Sequence, residues 1–141
     1  MTNNNLTLHY ETQHFSAEVI QLCKRTKQRK PQRDERVFWH SNGIEGVGIV
    51  RLRRLDSAYD DWLVRGLWIA PKYRQQGFAS QLMNFAISEM QSKSSQRVYA
   101  MASHHLDEFY SKLGFSPAEQ ETCPKQLEKQ HKWRVWVYSI Q

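Results

Sequence analysis

The sequence lacks the features that mark secreted and membrane-spanning proteins. It has two cysteines, Cys23 and Cys123, and they form no C-x-x-C pair. Such low cysteine usage argues against a disulfide framework or a zinc site and favours free thiols in a reducing compartment. No apolar run approaches the roughly 20 residues that a membrane-spanning helix needs, and the polar N-terminus has no signal-peptide pattern. We therefore expect a cytoplasmic protein without a membrane partner.

The composition is that of one folded domain whose positive charge is unevenly spread. The 141 residues are 40% hydrophobic and include five tryptophans, which suits a single domain over residues 1–141 with a buried core. The net charge is +6, but residues 21–36 alone carry seven basic and two acidic side chains. A segment of this kind favours an anionic partner.

The stretch from residue 63 to residue 90 predicts a strand, a tight turn and a long helix. An apolar run before Pro71 is typical of a buried strand, and proline ends it because it cannot donate to a β-ladder. After Gly77, apolar residues recur at helical spacing, at positions 79, 82, 83, 86 and 90. Such a turn combines free backbone N–H groups with the positive end of a helix dipole, so it suits a phosphate or pyrophosphate.

Two sequence blocks resemble the GNAT superfamily of N-acetyltransferases. Residues 74–79, Arg-Gln-Gln-Gly-Phe-Ala, are similar to the family's R/Q-x-x-G-x-G/A signature, and residues 109–115, Phe-Tyr-Ser-Lys-Leu-Gly-Phe, to its later F-Y-x-x-x-G-F element. The resemblance implies that the first block holds the pyrophosphate of acetyl-CoA. It also implies that the preceding strand, separated from its neighbour by a bulge, pairs with the pantetheine arm. The implied coenzyme-binding residues are Leu67, Trp68, Ile69, Arg74, Gln75, Gln76, Gly77, Phe78, Ala79 and Ser80.

The order of the predicted elements agrees with a GNAT-like α/β (α+β) fold, in which helices flank a mixed, mostly antiparallel central sheet. We expect strands over 6–10, 37–40, 46–55, 63–69, 97–102 and 133–140, with the first at an edge and the last in the interior. We expect a helix capped by Ser16, a short helix over 32–36, and one capped by Asp107 or Ser103 and ended by Gly114. Loops are expected over 56–60 and 92–96, an extended segment from Phe115, and a short helix over 124–129.

Tyr110 is the candidate general acid. Acyl transfer from a thioester requires that the departing thiolate be stabilised or protonated. The resemblance implies that a tyrosine at this place in the second block often takes that role, and a phenol with a pKa near 10 can donate to a thiolate. The alternative is an aromatic ring that packs beside the coenzyme without a chemical role.

The general base is less well defined. Many family members carry a glutamate on the central strand, near the positions held here by Leu63 and Arg65, and neither is a carboxylate. His105 is the first candidate, because the end of its strand lies near the site in the family and a histidine can accept a proton near pH 7. The alternatives are a water relay, an amine that arrives neutral, and the side chains of His104, His40, Asp60 and Asp61. His104, His105 and Asp107 lack the spacing of a metal site, so we expect no metal.

These observations predict an acetyl-CoA-dependent N-acetyltransferase that moves the acetyl group directly to an amine. Arg51, Arg53 and Arg54, with the basic segment, favour an acidic or carboxylate-bearing acceptor, although the coenzyme's 3′-phosphate or solvent would also suit them. One alternative is a basic nucleic-acid-binding module, consistent with a pI of about 9.5 but not with the absence of any known nucleic-acid-binding motif. Another is a GNAT domain that binds acyl-CoA without transfer. A monomer and a homodimer are both compatible with the sequence.

Overall fold

The computed structural model describes residues 6–55, 60–92, 97–119, 123–124, 127 and 134–140. Its strands are β1 Thr7–Thr12, β2 Arg36–Ser41, β3 Gly46–Arg54, β4 Asp61–Ile69, β5 Arg97–Ala102, β6 Ser116–Pro117 and β7 Arg134–Ser139. Its α-helices are α1 Ala17–Arg25, α2 Phe78–Ser92 and α3 Asp107–Lys112, and short 3-10 helices cover Pro71–Tyr73 and His104–Leu106. The strands form a seven-stranded sheet in the order β1-β2-β3-β4-β5-β7-β6.

The sheet is mixed and mostly antiparallel. Strands β1, β2 and β3 pair antiparallel in sequence order, and β7 pairs antiparallel with both β5 and β6. Strands β4 and β5 run parallel, with Asp61 opposite Arg97. The predicted α+β class, the edge position of the first strand and the interior position of the last are therefore confirmed.

The chain divides into two compact units. The first comprises Met1–Arg53 and Arg65–Ala86, and the second comprises Arg54–Val64 and Ile87–Gln141. The core of the first unit contains Val19, Leu22, Cys23, Val37, Trp39 and Ile49, with Phe15 and Trp68 packed against it. The core of the second contains Leu55, Leu63, Tyr99 and Leu127. Each core joins strand residues to apolar residues from a helix or loop of the same unit.

Helix α1 begins where the sequence predicts. The Ser16 hydroxyl accepts a hydrogen bond from the Val19 backbone N–H at 3.3 Å, as an N-cap does. The Glu11 carboxylate accepts hydrogen bonds at 2.7 Å from both the backbone N–H and the hydroxyl of Ser16. It also accepts one from the Trp39 indole at 2.9 Å. One carboxylate from β1 thus fixes the start of α1 beside β2.

Two local predictions are wrong. No helix forms over 32–36: the Glu35 N–H donates to the Gln32 carbonyl, and the Glu35 carboxylate accepts from the Gln32 N–H, so the segment closes as one turn before β2. Neither Asp107 nor Ser103 caps α3, whose N-cap residue is Leu106 with no side-chain cap. The Ser103 hydroxyl instead bonds the His105 ring. The left-handed backbone predicted at Gly114 is present, with φ +96°.

Some predicted segments lie wholly or mostly outside the described residues, namely the loops over 56–60 and 92–96 and the helix over 124–129. Among the residues that are described, no helix is long and apolar enough to cross a membrane. Cys23 and Cys123 are both free thiols.

Candidate active site

The predicted phosphate-binding turn joins β4 to α2, and two left-handed residues shape it. Gln75 has φ +60° and Gly77 has φ +84°, and helix α2 starts immediately afterwards at Phe78. The first backbone N–H groups of a helix have no intrahelical partner. The first turn of α2 also carries no acidic side chain. The positive end of the helix is therefore not neutralised by its own residues.

Side chains of the turn tie it to neighbouring backbone and leave one side open. The Arg74 Nε donates to the Ile69 carbonyl at 2.7 Å, and the Gln76 amide donates to the Lys72 carbonyl at 3.0 Å. Gly77 is exposed, and a Cβ built on it would meet no other protein atom within 4 Å. The turn is thus fixed at its base and accessible at its glycine.

Strand β4 changes conformation just before the predicted pantetheine-binding residues. Gly66 has φ +60° in the middle of the strand. A left-handed glycine inside a strand is typical of a bulge, the feature that the resemblance implies here. Leu67 and Trp68 are half-buried and Ile69 is buried, and the next residue donates its N–H to the Val47 carbonyl at 2.8 Å. The coenzyme-binding role of residues 67–69 and 74–80 stays a prediction.

Tyr110 lies on α3 and is 4% exposed. Its ring contacts three other aromatic rings of the second unit, with centroid distances of 5.1 Å to Phe109, 5.3 Å to Phe115 and 6.3 Å to Trp136. This burial raises the pKa of Tyr110 to about 12. The phenol is therefore protonated at any physiological pH and can act as a hydrogen-bond or proton donor.

The raised pKa of Tyr110 predicts a specific loss of stability at high pH. A phenol that titrates near 12 when folded and near 10 when unfolded contributes stability that is complete below pH 10 and lost by pH 12. From pH 9 to pH 11 we expect the wild type to lose about 1 kcal/mol more unfolding free energy than Tyr110→Phe. Urea denaturation at the two pH values measures this difference. Equal losses in the two proteins would contradict a buried, high-pKa phenol.

His105 is exposed in the 3-10 turn that leads into α3. The Ser103 hydroxyl lies 2.7 Å from its Nδ1, so a side chain from the end of β5 orients the imidazole. Asp107 lies 3.6 Å from the Nδ1 of His104 and 3.7 Å from the Nε of Arg134. His104 is therefore engaged with charged neighbours, whereas His105 is held by a neutral hydroxyl. The proposed role of His105 as base stays a prediction.

The other candidate bases occupy different settings. His40 on β2 is fully buried, with the Phe78 ring 5.8 Å away in an edge-on arrangement. Burial lowers the pKa of His40, and its interaction with Gln81 only partly offsets this. Asp60 pairs with Arg54 at 3.4 Å, and Asp61 is 2% exposed. No group of three or more His, Cys, Asp and Glu side chains that could hold a metal occurs within the described part of the chain.

A basic cavity in the first unit combines arginines that the sequence favoured for an anionic acceptor with residues that it did not identify as a site. It has a volume of about 410 Å³ and is lined by the four arginines Arg29, Arg51, Arg53 and Arg65, with Gln28, Gln32, Glu35 and Gly66. The sequence placed Arg51 and Arg53 on one face of their strand by period two. It grouped them with the basic segment, but it gave no signal that Arg65 would join them.

The comparisons agree with this fold. The family model described as "Acetyltransferase (GNAT) domain" matches residues 4–131. A GNAT acetyltransferase from Staphylococcus aureus superposes with a TM-score of 0.68 at 14% identity, over 96% of this chain and 100% of that one. A GNAT acetyltransferase from Elizabethkingia anophelis with acetyl-CoA bound gives 0.65 at 15% identity, over 97% and 99%.

The ribosomal-protein-S18-alanine N-acetyltransferase of Escherichia coli gives a TM-score of 0.69 at 12% identity, over 95% of this chain and 94% of that one. None of the curated proteins compared by sequence matches. Identities this low show a common fold and no more. The family model covers most of the 141 residues, and the strand–turn–helix it includes carries the signature described above. The chain therefore belongs to the GNAT acetyltransferase family.

Proposed function

We propose that this protein is an N-acetyltransferase that moves the acetyl group of acetyl-CoA directly to an amine. The observation that carries the proposal is the turn between β4 and α2, with its left-handed Gly77 and its helix start free of acidic side chains. The Elizabethkingia relative with acetyl-CoA bound supports the choice of coenzyme. The Escherichia coli relative, an enzyme for an alanine of ribosomal protein S18, supports an amine as acceptor.

The coenzyme is held by backbone rather than by charge in this proposal. The N–H groups of residues 74–80 bind the diphosphate, since a helix N-terminus binds anions through its unpaired N–H groups and its dipole. Residues 67–69, which follow the left-handed Gly66, pair with the amides of the pantetheine arm. The fixed turn and strand orient the thioester, which lowers the entropic cost of reaching the transition state.

The chemistry is one substitution at the thioester carbonyl. The amine nitrogen attacks the carbonyl carbon, the new C–N bond forms, the C–S bond breaks, and the amine proton leaves while the sulfur is stabilised or protonated. Full transfer of a proton from a phenol with a pKa of about 12 to a thiolate whose conjugate acid titrates near 8.5 is uphill by roughly 5 kcal/mol. Tyr110 therefore acts by donating a hydrogen bond to the developing thiolate, with the proton following from solvent.

The base must accept the proton that the attacking amine loses. His105 is our candidate because Ser103 holds its ring and because an exposed imidazole can pass the proton to water. The central strand offers no glutamate for this purpose: position 63 is leucine and position 65 is arginine. The absence of a glutamate at these two positions also favours a second candidate function, a domain that binds acyl-CoA without transferring the acyl group.

A thiol-release assay tests the function. Acetyl-CoA is incubated with a library of amines, and free coenzyme A is measured with a thiol reagent, while calorimetry measures coenzyme binding. We expect saturable binding and thiol release that requires an amine.

With the best acceptor we expect His105→Gln to lower kcat about 10- to 100-fold near neutral pH and less at high pH, where the amine is already neutral.

The outcomes separate the candidate functions. Coenzyme binding without thiol release over the whole library would favour the acyl-CoA-binding domain. Absence of coenzyme binding, together with salt-sensitive binding to random RNA or DNA, would favour the nucleic-acid-binding module. A His105→Gln variant with the wild-type pH profile would leave a water relay or a neutral amine as the source of the proton transfer.

A further inference from the structure

The basic cavity of the first unit has one buried arginine at its base. Arg51 is 7% exposed, and its Nη1 donates to the Arg29 carbonyl at 3.0 Å and lies 3.6 Å from the Glu35 carboxylate. Its Nε is buried and has no hydrogen-bond partner among the described residues. A buried donor without a partner is unfavourable, so a ligand that supplied an acceptor to this group would be stabilised.

An unpaired acceptor belongs to a residue that lines the same cavity. The Gln28 side chain donates from Nε2 to the Gly66 carbonyl at 3.0 Å, while its buried Oε1 has no partner in the described part of the chain. A Cβ added to Gly66 would collide with this amide. Glycine at position 66 therefore allows the Gln28 amide to lie against β4, one residue before the strand segment that we assign to the pantetheine arm.

The charge of the cavity is positive. Four guanidinium groups line it, and Glu35 is the one carboxylate among the residues that do so. Partial desolvation, followed by the charges of Arg53 and Arg51, lowers the pKa of Arg65, although the residue as a whole is exposed. These arginines therefore repel one another, and an anion between them would relieve the repulsion. Guanidinium groups bind carboxylates through paired, charge-assisted hydrogen bonds.

We propose that this cavity binds the acetyl acceptor, and that the acceptor is a small amine carrying a carboxylate, of the amino-acid class. Arg51, Arg53 and Arg65 receive the carboxylate, and Gln28 Oε1 accepts a hydrogen bond from the amine. This inference rests on the proposed function. The free acceptor at Gln28 distinguishes an amine-bearing ligand from a simple anion such as the coenzyme's 3′-phosphate, which has no donor to offer it.

The test compares amino acids with their α-amides, which keep the amine and remove the charge. For the wild type we expect kcat/KM for the best amino acid to exceed that for its amide at least 10-fold, with a KM that rises with ionic strength. Arg53→Gln and Arg65→Gln, both exposed residues, should each raise the KM for the amino acid about 10- to 100-fold, as expected for a lost charged hydrogen bond. The amide should change less than about 2-fold.

Arg54→Gln is the matched control. The sequence grouped Arg54 with Arg51 and Arg53, but the structure separates it from them: Arg54 pairs with Asp60 at 3.4 Å and is not part of the cavity lining. It should leave both KM values at the wild-type level. Calorimetric titration of the amino acid into protein saturated with coenzyme A gives a readout that does not require turnover.

The outcomes distinguish this inference from the proposed function. Thiol release that is as fast with amides as with amino acids, or Arg65→Gln and Arg54→Gln with equal effects, would overturn the acceptor class and leave the acetyltransferase standing. Carboxylate binding that depends on Arg65, without thiol release from any amine, would leave the cavity as an amino-acid site and remove the acetyltransferase.

Discussion

Gly77→Asp is expected to weaken binding of coenzyme A at least 100-fold while the protein remains folded. The backbone at Gly77 is left-handed and open, because φ is +84° and an added Cβ would meet no protein atom within 4 Å. Aspartate tolerates this conformation better than most residues. Its carboxylate would lie at the position that we assign to the diphosphate. Two like charges about 5 Å apart at an effective dielectric constant of about 20 repel by roughly 3 kcal/mol.

Gly43→Asp is the control for this experiment. Gly43 also belongs to the first unit, has φ +91°, and likewise has no protein atom within 4 Å of an added Cβ. The two variants therefore impose similar backbone strain and the same charge change at different turns. Calorimetry with coenzyme A and thermal denaturation should show equal, small losses of stability, with the loss of affinity confined to Gly77→Asp. Equal losses of affinity would rule out the turn before α2 as the diphosphate site.

The turn at Gly77 could be predicted from sequence because its determinants are local. A run of apolar residues, Pro71, Gly77 and a helical repeat follow one another within residues 63–90, and each restricts the backbone near it. The same reason explains the success at Ser16, whose hydroxyl bonds a backbone N–H three residues later. Patterns of this kind depend on contacts within a few residues, which the sequence displays directly.

The failed predictions involve side chains that bond a different partner from the one the pattern suggested. Ser103 has the chemistry of an N-cap, but the His105 imidazole takes its hydroxyl. Residues 32–36 contain polar residues compatible with a helix, but Glu35 folds back on Gln32 and lies 3.6 Å from Arg51 on β3. In both places helix and cap propensity loses to a competing side-chain hydrogen bond, which at Glu35 is accompanied by the contact with Arg51.

The residues of the arginine-lined cavity could likewise be predicted only in part from the sequence. The sequence favoured an acidic acceptor from Arg51, Arg53 and Arg54 together with the whole basic segment over residues 21–36. The arginines of that segment are nevertheless not equivalent. Arg29 lines the cavity, whereas Arg25 pairs with Glu45 at 3.3 Å and lies over the Trp68 ring. Many family members carry a glutamate near position 65, and Arg65 is not among the residues that the sequence suggests for the acceptor. In the fold it lines the cavity with Arg51 and Arg53, so the arginine at this position supports a negatively charged acceptor.

The hydroxyl of Tyr110 is expected to account for about 100-fold in kcat, the range of a positioned proton or hydrogen-bond donor. Tyr110→Phe removes that oxygen and keeps the ring, so the contacts with Phe109, Phe115 and Trp136 remain. We therefore expect the KM for acetyl-CoA to change less than about 3-fold, because the hydroxyl acts on the charge that develops at sulfur and not on the bound thioester. Steady-state thiol release with the best acceptor measures both constants.

The control for Tyr110→Phe is Tyr138→Phe, which removes a phenolic oxygen from another ring packed on Phe115, at a centroid distance of 5.5 Å. It should retain wild-type kcat. The pH profile separates a chemical role from a structural one: with a pKa of about 12, Tyr110 stays protonated up to about pH 11, so its contribution to kcat should be constant from pH 6 to pH 10. A Tyr110→Phe defect that shrinks within this range, or equal kcat losses in the two variants, would show that the ring packs beside the coenzyme without taking part in the reaction.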